Sequence, residues 1–552
     1  MDADSTSVER VKNELIACRQ KYKQIEFFVE YFFENRIKIF NQPPVYEIEE
    51  PYMEYQHPLG MQVMESLLYD EYPFRFKKEL SDQAEVIYTT AQSLNTFLHD
   101  REIKDEEILE SIRLELVRIT TLGITGYDAP ELKTGIAESE IALNAVGECL
   151  QPYLLKSKNA DSVRYFLEQS ISLISQHHEF DSFDRIGFLT EAMLPLQEYM
   201  GKMISESGLL INTGNALNYS ASNIFSSNAL NIQSFSASTI NNDHLVKLGK
   251  ELFFEKRLSG NGKRSCATCH APEKYFTDGL AQSLNLNETG HVKRNAPTIL
   301  YASYQHAQFH DARVKTLEEQ VFAVLTNEEE MNADFKTITR FLNRDKQYGK
   351  LFTQAFPGIR KDTLVSIDRI ASALAAFERS LPVMTSAFDK YMQGNKTALN
   401  TQQKNGFNLF MGKAMCGTCH FAPLFNGLLP PLYNITEFES LGVTANNNLG
   451  QPMADIDSGR YHVYPIEFYA GAFKTPTVRN IEHTAPYMHN GAFTSLDQVM
   501  EFYNKGGGNG LGLNNPYQTL SSKPLNLTDQ EIKDIIEFLK SLSDEKPNLG
   551  II

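Results

Sequence analysis

The stretches Cys266-Ala-Thr-Cys269-His270 and Cys416-Gly-Thr-Cys419-His420 repeat one pattern, in which two cysteines enclose two residues and a histidine follows at once. Two thiols at this spacing can form thioethers to the two vinyl groups of one porphyrin, and the imidazole of the next residue can ligate the iron. A zinc site needs four closed ligands, and a redox dithiol needs no histidine directly after it. The pattern therefore predicts two covalently bound haem c groups, with His270 and His420 as iron ligands.

The composition is typical of an acidic globular protein with several domains. The chain has 552 residues, of which 42% are hydrophobic and 22% are charged, and its formal net charge is −17. Because nucleic acids are bound by basic surfaces, this balance excludes DNA and RNA as expected partners. The sequence has no apolar run of about 18 residues, so we expect no membrane span.

Covalent haem attachment normally follows export, which favours a periplasmic location. The polar start Met1-Asp-Ala-Asp-Ser-Thr-Ser7 is not a signal peptide, so we expect that a signal or lipoprotein leader has been removed. Cys18 and Cys149 remain after the haem thiols are counted. An exported compartment permits a disulfide between them, but the sequence leaves their pairing open.

Changes in composition divide the chain into four parts. Residues 1–207 carry helical apolar stripes and few glycines, which predicts an all-helical bundle. Residues 208–242 are rich in Ser and Asn and nearly uncharged, as linkers are. Residues 243–395 and 396–552 each hold one attachment motif and are each predicted to form a small haem domain. The predicted fold is mainly α, with a helical bundle followed by two cytochrome c-like haem domains.

Longer segments around the two motifs follow the pattern of a known family. They are Leu248-Gly-Lys-Glu-Leu-Phe-Phe254, Arg257-Leu-Ser259, Arg294-Asn-Ala-Pro-Thr298, Phe309-His-Asp-Ala-Arg313, Leu317-Glu-Glu-Gln320, Glu330-Met331, Phe473-Lys-Thr-Pro-Thr-Val-Arg-Asn480 and Ala485-Pro-Tyr-Met-His-Asn-Gly491. Together they resemble the bacterial di-haem cytochrome c peroxidases and their relative MauG, the enzyme that matures methylamine dehydrogenase. The resemblance implies that the first haem binds peroxide and that the second haem stores an electron and passes it on.

The resemblance also implies which residues assist the cleavage of peroxide. In this family a glutamate over the open iron, with a glutamine nearby, moves a proton between the two oxygens, and the matching residues are Glu330 and Gln320. Many members cover the same iron with a distal histidine at rest. Alignment on Asn295-Ala-Pro-Thr298 places Asn287 at that position, and His291 lies four residues later. Either His291 is the resting ligand, or the iron is open without activation.

The upper ligand of the second haem separates the subtypes of this family. In the ordinary peroxidases a methionine lies fourteen residues after the histidine of the Pro-Tyr-x-His motif, but the same count from His489 reaches Tyr503, as it does in MauG. An anionic phenolate stabilises oxidised iron and lowers its reduction potential. Met488 and Met500 are rival ligands in the same region. The resemblance favours Tyr503.

Two further features follow from the resemblance. Family members place a tryptophan between the haems as a relay, but this chain contains no Trp, and His310 takes that position. An imidazole is harder to oxidise than an indole, so a relay through His310 is doubtful and direct tunnelling or a tyrosine would have to serve. Family members also bind calcium between the haem domains, and the matching ligands are Asn295, Thr484 and Pro486.

The N-terminal bundle has its own resemblance. Tyr22-Lys-Gln-Ile-Glu26, Glu30-Tyr31-Phe32 and Gly60-Met-Gln-Val-Met-Glu65 resemble the imelysin-like helical proteins, whose GxHxxE motif is suspected of binding metal. Gln62 replaces the histidine of that motif and leaves Glu65 alone. We therefore expect a docking or spacer domain without metal.

The predicted function is that of a di-haem c-type peroxidase that reduces hydrogen peroxide to water. Its electrons would come from a small redox protein, a cytochrome c or a cupredoxin, and a homodimer is a further expectation. One alternative is a MauG-like oxidase that modifies a partner protein through high-valent haem. Another is a protein without catalytic activity that transfers electrons or takes up metal.

Overall fold

The computed structural model of the protein describes residues 5–33, 39–49, 54–98, 101–209, 211, 214–235 and 242–546. These residues are mainly helical, with two short antiparallel strand pairs, which confirms the predicted mainly α fold. The chain forms two compact units. The first comprises Met1–Ala229, Phe407–Pro423 and Pro430–Leu432, and the second comprises Leu230–Gly406, Leu424–Leu429 and Tyr433–Ile552. The four-part division read from the sequence stays a prediction, because these units group residues 407–423 with the N-terminal helices.

The first unit is a helical bundle. Its helices are α1 (Ser5–Lys23), α2 (Glu26–Phe32), α3 (Met61–Leu68), α4 (Lys77–Leu98), α5 (Asp105–Thr121), α6 (Gly135–Leu154), α7 (Ala160–Ser175), α8 (Arg185–Phe188) and α9 (Leu194–Ser207). A π-helical turn, Leu189–Met193, joins α8 to α9, and β1 (Glu47–Glu49) pairs with β2 (Glu54–Gln56). Apolar stripes such as Leu15, Met61 and Leu68 pack in one cluster.

Buried ion pairs tie α1 to the rest of the bundle. Arg19 donates to both carboxylate oxygens of Glu138 on α6, at 2.7 and 2.8 Å. Lys23 donates to Glu26 at 2.6 Å and to Asp128 at 2.5 Å. Breaking a buried pair strands a charge away from water, so these contacts strongly favour one position of α1.

The GxHxxE-like segment makes contacts within the protein. Glu65 Oε1 accepts hydrogen bonds from the backbone amides of Glu131 and Leu132, both at 2.7 Å. Gln62 Nε2 donates to the carbonyl of Asn41. Within the part of the chain that the structure describes, no group of three His, Cys, Asp or Glu side chains is placed to hold a metal ion. The resemblance of this bundle to imelysin-like proteins stays a prediction.

The Ser/Asn-rich segment predicted over residues 208–242 lies partly outside the described residues, at 210, 212–213 and 236–241. The described part from 214 to 229 packs on the bundle. Ile224 donates its amide to Gln197 Oε1 at 3.1 Å, and the carbonyl of Ala221 accepts from Arg113 at 2.5 Å. The apolar side chains scattered along this segment are buried. Their burial explains why a segment of mostly polar composition packs on the bundle.

The second unit is built from shorter helices. They are α10 (Asp243–Phe253), α11 (Cys266–Cys269), α12 (Leu317–Thr326), α13 (Phe335–Arg344), α14 (Lys346–Ala355), α15 (Ile367–Arg379), α16 (Ala387–Met392), the start of α17 (Thr401–Met411), α18 (Leu496–Asn504), α19 (Gly507–Gly510) and α20 (Asp529–Ser541). Strand β3 (Phe438–Ser440) pairs antiparallel with β4 (Ala472–Lys474). The final helix begins with a capping box between Thr528 and Glu531, as its sequence indicates.

Glycines allow two pairs of these helices to touch through their backbones. A Cβ atom on Gly249 of α10 would lie 1.9 Å from the carbonyl oxygen of Ala373 on α15. A Cβ atom on Gly406 of α17 would lie 1.9 Å from the carbonyl oxygen of Asp534 on α20. Real atoms cannot approach so closely, so both crossings require glycine. In each case the first helix of the pair precedes an attachment motif in the sequence.

A buried ion pair joins the end of the first predicted haem domain to the second within this unit. Arg479 donates from its two terminal nitrogens to both carboxylate oxygens of Asp389, at 2.9 and 2.8 Å. Tyr301 donates to Asp544 Oδ2 at 2.6 Å nearby. Bidentate geometry of this kind fixes orientation as well as distance.

Two expectations on the whole chain can be compared with the described residues. Cys18 and Cys149 are unpaired, so the structure contains no disulfide between them. None of the described helices is both long enough and apolar enough to cross a bilayer.

The glycine crossing predicts a large cost for one methyl group. We expect Gly249→Ala to lower the free energy of unfolding by about 3 kcal/mol, because a backbone carbonyl cannot move aside as a side chain can. Gly349→Ala is the matched control: Gly349 lies inside α14 with open space around it, and alanine there should stabilise by about 0.5–1 kcal/mol. Thermal unfolding of the holoprotein measures both changes, and equal effects of the two variants would contradict the crossing.

Candidate haem sites

The first attachment motif forms a single helical turn. Ser265 caps α11, and its backbone amide in turn binds Thr268 Oγ1 at 3.1 Å. The turn places Cys266 and Cys269 three residues apart on one face of the helix. Both thiols are unpaired, as thioether formation requires.

His270 is oriented by a backbone carbonyl. Its Nδ1 donates to the carbonyl of Phe276 at 3.0 Å, which fixes the tautomer and leaves Nε2 with a lone pair. Burial lowers the pKa of His270, so the imidazole is held neutral, as a metal ligand must be. The motif therefore fits a haem c, which Cys266 and Cys269 would attach and whose iron His270 would bind.

The second attachment motif, in the first unit, has a comparable local form. Cys416–Thr418 is a 3₁₀ turn that follows Met415 in the left-handed region, at φ 52°. The amide of His420 donates to the carbonyl of Cys416 at 3.0 Å, as the equivalent amide does in the first motif. Neither Cys416 nor Cys419 is part of a disulfide bond. This motif also fits a haem c.

Glu330 lies in a turn that is hydrogen-bonded to the segment before the first motif. The amide of Gly260 donates to the carbonyl of Met331 at 2.8 Å, and Asn327 Nδ2 donates to Glu330 Oε1 at 3.0 Å. Burial raises the pKa of the Glu330 carboxyl, although the charge of Arg313 opposes that rise. A half-buried carboxyl whose pKa is raised holds its proton more readily than an exposed one, and it can both release and accept that proton. Its role stays a prediction, but its chemistry suits that role.

The loop that carries His291 reaches the same turn. The amide of Leu286 donates to the carbonyl of Glu329 at 2.7 Å, and Arg264 donates to the carbonyl of Asn285 at 2.7 Å. His291 itself is exposed, and its backbone pairs with Leu284. The structure thus joins this loop to the Glu330 turn without burying the imidazole of His291.

Gln320 is on α12, one helix before that turn. Its amide continues the helix from Thr316, whose side chain caps the first turn together with Glu319. The side chain of Gln320 is half-buried. Since α12 runs directly into the turn that carries Glu330, both predicted catalytic residues belong to one continuous segment, Leu317 to Met331.

His310 connects two parts of the second unit. Its Nε2 donates to the carbonyl of Asn295 at 3.1 Å, and its own carbonyl accepts from the amide of Lys474 at 2.8 Å. Burial lowers the pKa of His310 to about 3, and the nearby His489 adds to that effect. The ring is therefore neutral and acts as a hydrogen-bonded bridge. This role agrees with its position in place of a tryptophan, and it offers no easily oxidised group.

Next to His310 lies an ion-pair cluster that sequence reasoning missed. Arg294 donates to Asp311 at 2.5 Å and to both oxygens of Asp457 at 2.7 and 2.9 Å. Arg313 donates to the other oxygen of Asp311 at 2.9 Å. Arg294 and Asp311 stand in the quoted family segments, but Asp457 is 163 residues from Arg294 and lies outside them. No local signal links residues at such a separation.

A second contact that was not predicted involves His489. Its Nε2 donates to Asp455 Oδ2 at 2.6 Å, and its ring stacks on Phe473 with centroids 3.7 Å apart. Its carbonyl accepts from the amide of Asn295 at 2.8 Å. His489 therefore links the segment that follows the first motif to the Asp455 loop.

The three candidate ligands of the second haem share one part of the second unit. Tyr503 and Met488 pack against a cluster that contains Phe493 and Phe502, and the rings of Phe502 and Tyr503 are 5.6 Å apart. Met500 is buried on the same helix, α18. Tyr503 is half-buried. Its ligation of iron stays a prediction.

The predicted calcium ligands lie in two loops of the second unit. Asn295 Nδ2 donates to the carbonyl of Leu280 at 2.8 Å, which leaves its Oδ1 as an oxygen donor. Thr484 and Pro486 stand in the turn after Ile481, around a cis peptide bond between Ala485 and Pro486. Oxygen donors of this kind suit calcium, and the assignment stays a prediction.

Comparisons with known proteins agree with this description of the haem half. The family model for "Di-haem cytochrome c peroxidase" matches residues 243–397. Cytochrome-c peroxidase IdrP1 of Pseudomonas sp. (strain SCT) is 35% identical over 323 residues, which are 55% of this chain and 82% of that protein. Cytochrome c551 peroxidase of Nitrosomonas europaea is 33% identical, over 58% of this chain and 86% of its own length. Methylamine utilization protein MauG of Methylorubrum extorquens is 32% identical, over 54% and 78%.

The Arg294 cluster predicts a pH-dependent loss of stability. Although burial raises the pKa of Asp457, the hydrogen bond from Arg294 holds it well below its ordinary value. Arg294→Gln should therefore lower the free energy of unfolding by about 3 kcal/mol at pH 7. The loss should shrink as the pH falls below about 4, because protonated carboxyls no longer need the guanidinium.

The control for this variant is Arg360→Gln. Arg360 pairs with Asp362 at an exposed position, where the two side chains are 79% and 58% accessible, so the change should stay within about 0.5 kcal/mol. Urea unfolding of the holoproteins at pH 7 and at pH 3 measures all four values. A loss for Arg294→Gln that is the same at both pH values would contradict the electrostatic explanation.

Proposed function

Because the chain belongs to the family of di-haem cytochrome c peroxidases, we propose that it reduces hydrogen peroxide to water with electrons from a small redox protein such as a cytochrome c or a cupredoxin. The single observation that carries the proposal is Glu330, a half-buried carboxyl with a raised pKa in a turn hydrogen-bonded to the segment before Cys266. The reaction consumes two electrons and two protons and yields two molecules of water.

The chain's own residues would handle the protons of this reaction. A haem bound through Cys266, Cys269 and His270 would supply the iron that takes up peroxide and the oxidising equivalents that follow. Glu330 would accept the proton of the oxygen nearer the iron and return it to the farther oxygen, which then leaves as water. Asn327 holds the carboxyl in position through its 3.0 Å hydrogen bond. Gln320 would orient the peroxide by hydrogen bonding.

Glu330 lies near the positive charges of Arg313 and Arg264, and Arg313 also pairs with Asp311 of the Arg294 cluster. Arg294 is held in ion pairs with Asp311 and Asp457, so none of these three groups is available to exchange a proton. His310 is neutral and fully hydrogen-bonded at Nε2, which leaves Glu330 as the group suited to exchange. We propose His310 as a bridge between loops, and direct tunnelling or a tyrosine as the path of the electron.

The remaining parts of the proposal follow the family. We propose a periplasmic location and calcium at Asn295, Thr484 and Pro486, with the ion holding the loop of Asn295 against the turn at Pro486. His291 is proposed as a resting ligand only if its loop moves, since the imidazole is exposed in this structure.

Tyr503 favours a second candidate function. A phenolate in place of methionine would lower the reduction potential of the second haem and would suit a MauG-like oxidase that acts on a partner protein. The two functions differ in their substrate. A reduced cytochrome that is turned over by peroxide supports the first, whereas covalent change in a partner protein supports the second.

The role of Glu330 predicts a specific kinetic defect. Glu330→Gln keeps the shape of the side chain but removes its exchangeable proton, so kcat/KM for peroxide should fall by about 100-fold to 10,000-fold with both haems still attached. Glu328→Gln is the matched control, because Glu328 is an exposed carboxylate two residues away in the same turn. Steady-state oxidation of a reduced cytochrome measures both variants, and equal activity in the two would refute the assignment.

The ligand assignment predicts a spectroscopic change. Tyr503→Met should replace an anionic oxygen ligand by a neutral thioether, which raises the reduction potential of one haem and alters its low-spin EPR signal. Tyr517→Met is the control, since the Tyr517 hydroxyl binds Glu467 at 2.8 Å on the exposed surface. An unchanged low-spin signal in Tyr503→Met would remove Tyr503 as a ligand and the argument for the MauG-like function.

A further inference from the structure

The second attachment segment packs against the N-terminal bundle. Residues 407–423, which include Cys416 and Cys419, belong to the same compact unit as the bundle helices. Asn408 on α17 donates from Nδ2 to Asp184 Oδ1 at 2.9 Å and accepts from the amide of Ile186 at 2.9 Å. One amide side chain thus binds both the cap and the first turn of α8, which fixes α17 against that end of the bundle.

The guanidinium of Arg185 is buried at this contact. The residue is fully inaccessible, and it donates to the carbonyls of Ile124 at 2.7 Å, Phe180 at 2.8 Å and Phe183 at 3.2 Å. All of these acceptors are neutral. Among the residues that the structure describes, no carboxylate lies within ion-pair distance of Arg185, so its charge is stabilised by the backbone carbonyls and by the ring of Phe180, whose centroid lies 4.5 Å from the guanidinium carbon.

Arg185 stays charged in spite of its burial. Burial lowers its pKa to about 9, and the charge of Asp181, a carboxylate that also binds Lys133 at 2.8 Å, opposes this effect. At neutral pH the guanidinium is therefore a cation without a counter-ion in a region of low dielectric, where its field is poorly screened.

The charge lies directly against the end of α17. A Cβ atom on Gly412 would lie 2.4 Å from Nη1 of Arg185, so the guanidinium occupies the space that a side chain at 412 would need. Gly412 is four residues before Cys416.

The loops on either side of Arg185 also touch the motif. A Cβ atom on Gly417 would lie 3.2 Å from the methyl group of Thr125, and one on Gly126 would lie 3.4 Å from Met415. The rings of Tyr127 and Phe421 are 5.6 Å apart in an edge-to-face arrangement. The loop 123–127 therefore contacts the attachment motif before, within and after its two cysteines.

From these contacts we infer that the N-terminal bundle is a structural wall of the second haem site and that Arg185 is a positioning residue that raises the reduction potential of that haem. Ferric haem carries one more positive charge than ferrous haem, so an unpaired cation held against the attachment segment favours the reduced form. The inference deepens the proposed function, because it rests on a haem at Cys416 and Cys419 that accepts and passes electrons. It gives the bundle a role in tuning electron supply.

An EPR-monitored redox titration of the intact holoprotein tests this inference. Arg185→Gln removes the charge, and we expect the ratio of ferric to ferrous second haem at a fixed potential to rise about tenfold, a shift of about 59 mV. Arg185→Lys retains the charge and should retain most of the potential. A variant with Cys266→Ser and Cys269→Ser, which attaches only the second haem, identifies its signal.

Two further variants keep the test decisive. Arg113→Gln removes another buried guanidinium of the bundle, which donates to the carbonyl of Ala221 instead, and it should leave the potential unchanged. If Arg185→Gln does not fold with two haems, Gly412→Ala displaces the guanidinium by sterics and should lower the potential in the same direction.

The outcomes separate this inference from the proposed function. An unchanged potential in Arg185→Gln and Gly412→Ala, with normal peroxide turnover, would overturn the role of Arg185 and leave the peroxidase intact. An equal shift in Arg113→Gln would also overturn it, because the effect would then come from a loosened bundle. If the variants show the expected potential shifts but the wild-type protein does not turn over peroxide, the proposed function alone is overturned.

Discussion

The backbone contact between helices at two glycines is the constraint on which the haem half depends. Gly249 brings α10 against Ala373, and Gly406 brings α17 against Asp534, with no room for a side chain in either place. Each of these helices precedes an attachment motif in the sequence. Packing density makes such contacts intolerant of even one methyl group. The local turns at Cys266 and Cys416 then need only short-range hydrogen bonds.

The titratable groups of the second unit fall into two kinds: those held in fixed ion pairs or kept neutral by burial, and the Glu330 carboxyl, which can exchange a proton. The two arginines and two carboxylates of the Arg294 cluster, Arg294, Arg313, Asp311 and Asp457, neutralise one another in close ion pairs. His310 is neutral because burial disfavours its protonation. Glu330 differs from these groups, since its carboxyl is half-buried, carries a raised pKa and is held by a single amide side chain. A proton carrier among fixed charges is the arrangement that cleavage of peroxide requires.

Features that depend on only a few neighbouring residues could be predicted from the sequence, whereas contacts between distant residues could not. The attachment motifs, the capping box at Thr528 and the mainly α class are determined within a few residues, and the structure agrees with them. The pairing of Arg294 with Asp457 could not be predicted, because 163 residues separate them and no periodic pattern joins them. The burial of Arg185 was equally hidden. An isolated arginine at the start of a short helix predicts a solvent contact, whereas Arg185 is buried against the bundle loops and Gly412 without a carboxylate partner.

We expect the chain to carry two haem c groups, of which only one has an iron that is open to peroxide. Low-temperature EPR of the fully oxidised protein, with haem content measured on the same sample, tests this expectation most directly. We expect two haems per chain, one low-spin signal and one high-spin signal, and the high-spin signal should change when peroxide is added. Fewer than two haems, or two low-spin signals that peroxide leaves unchanged, would contradict the account.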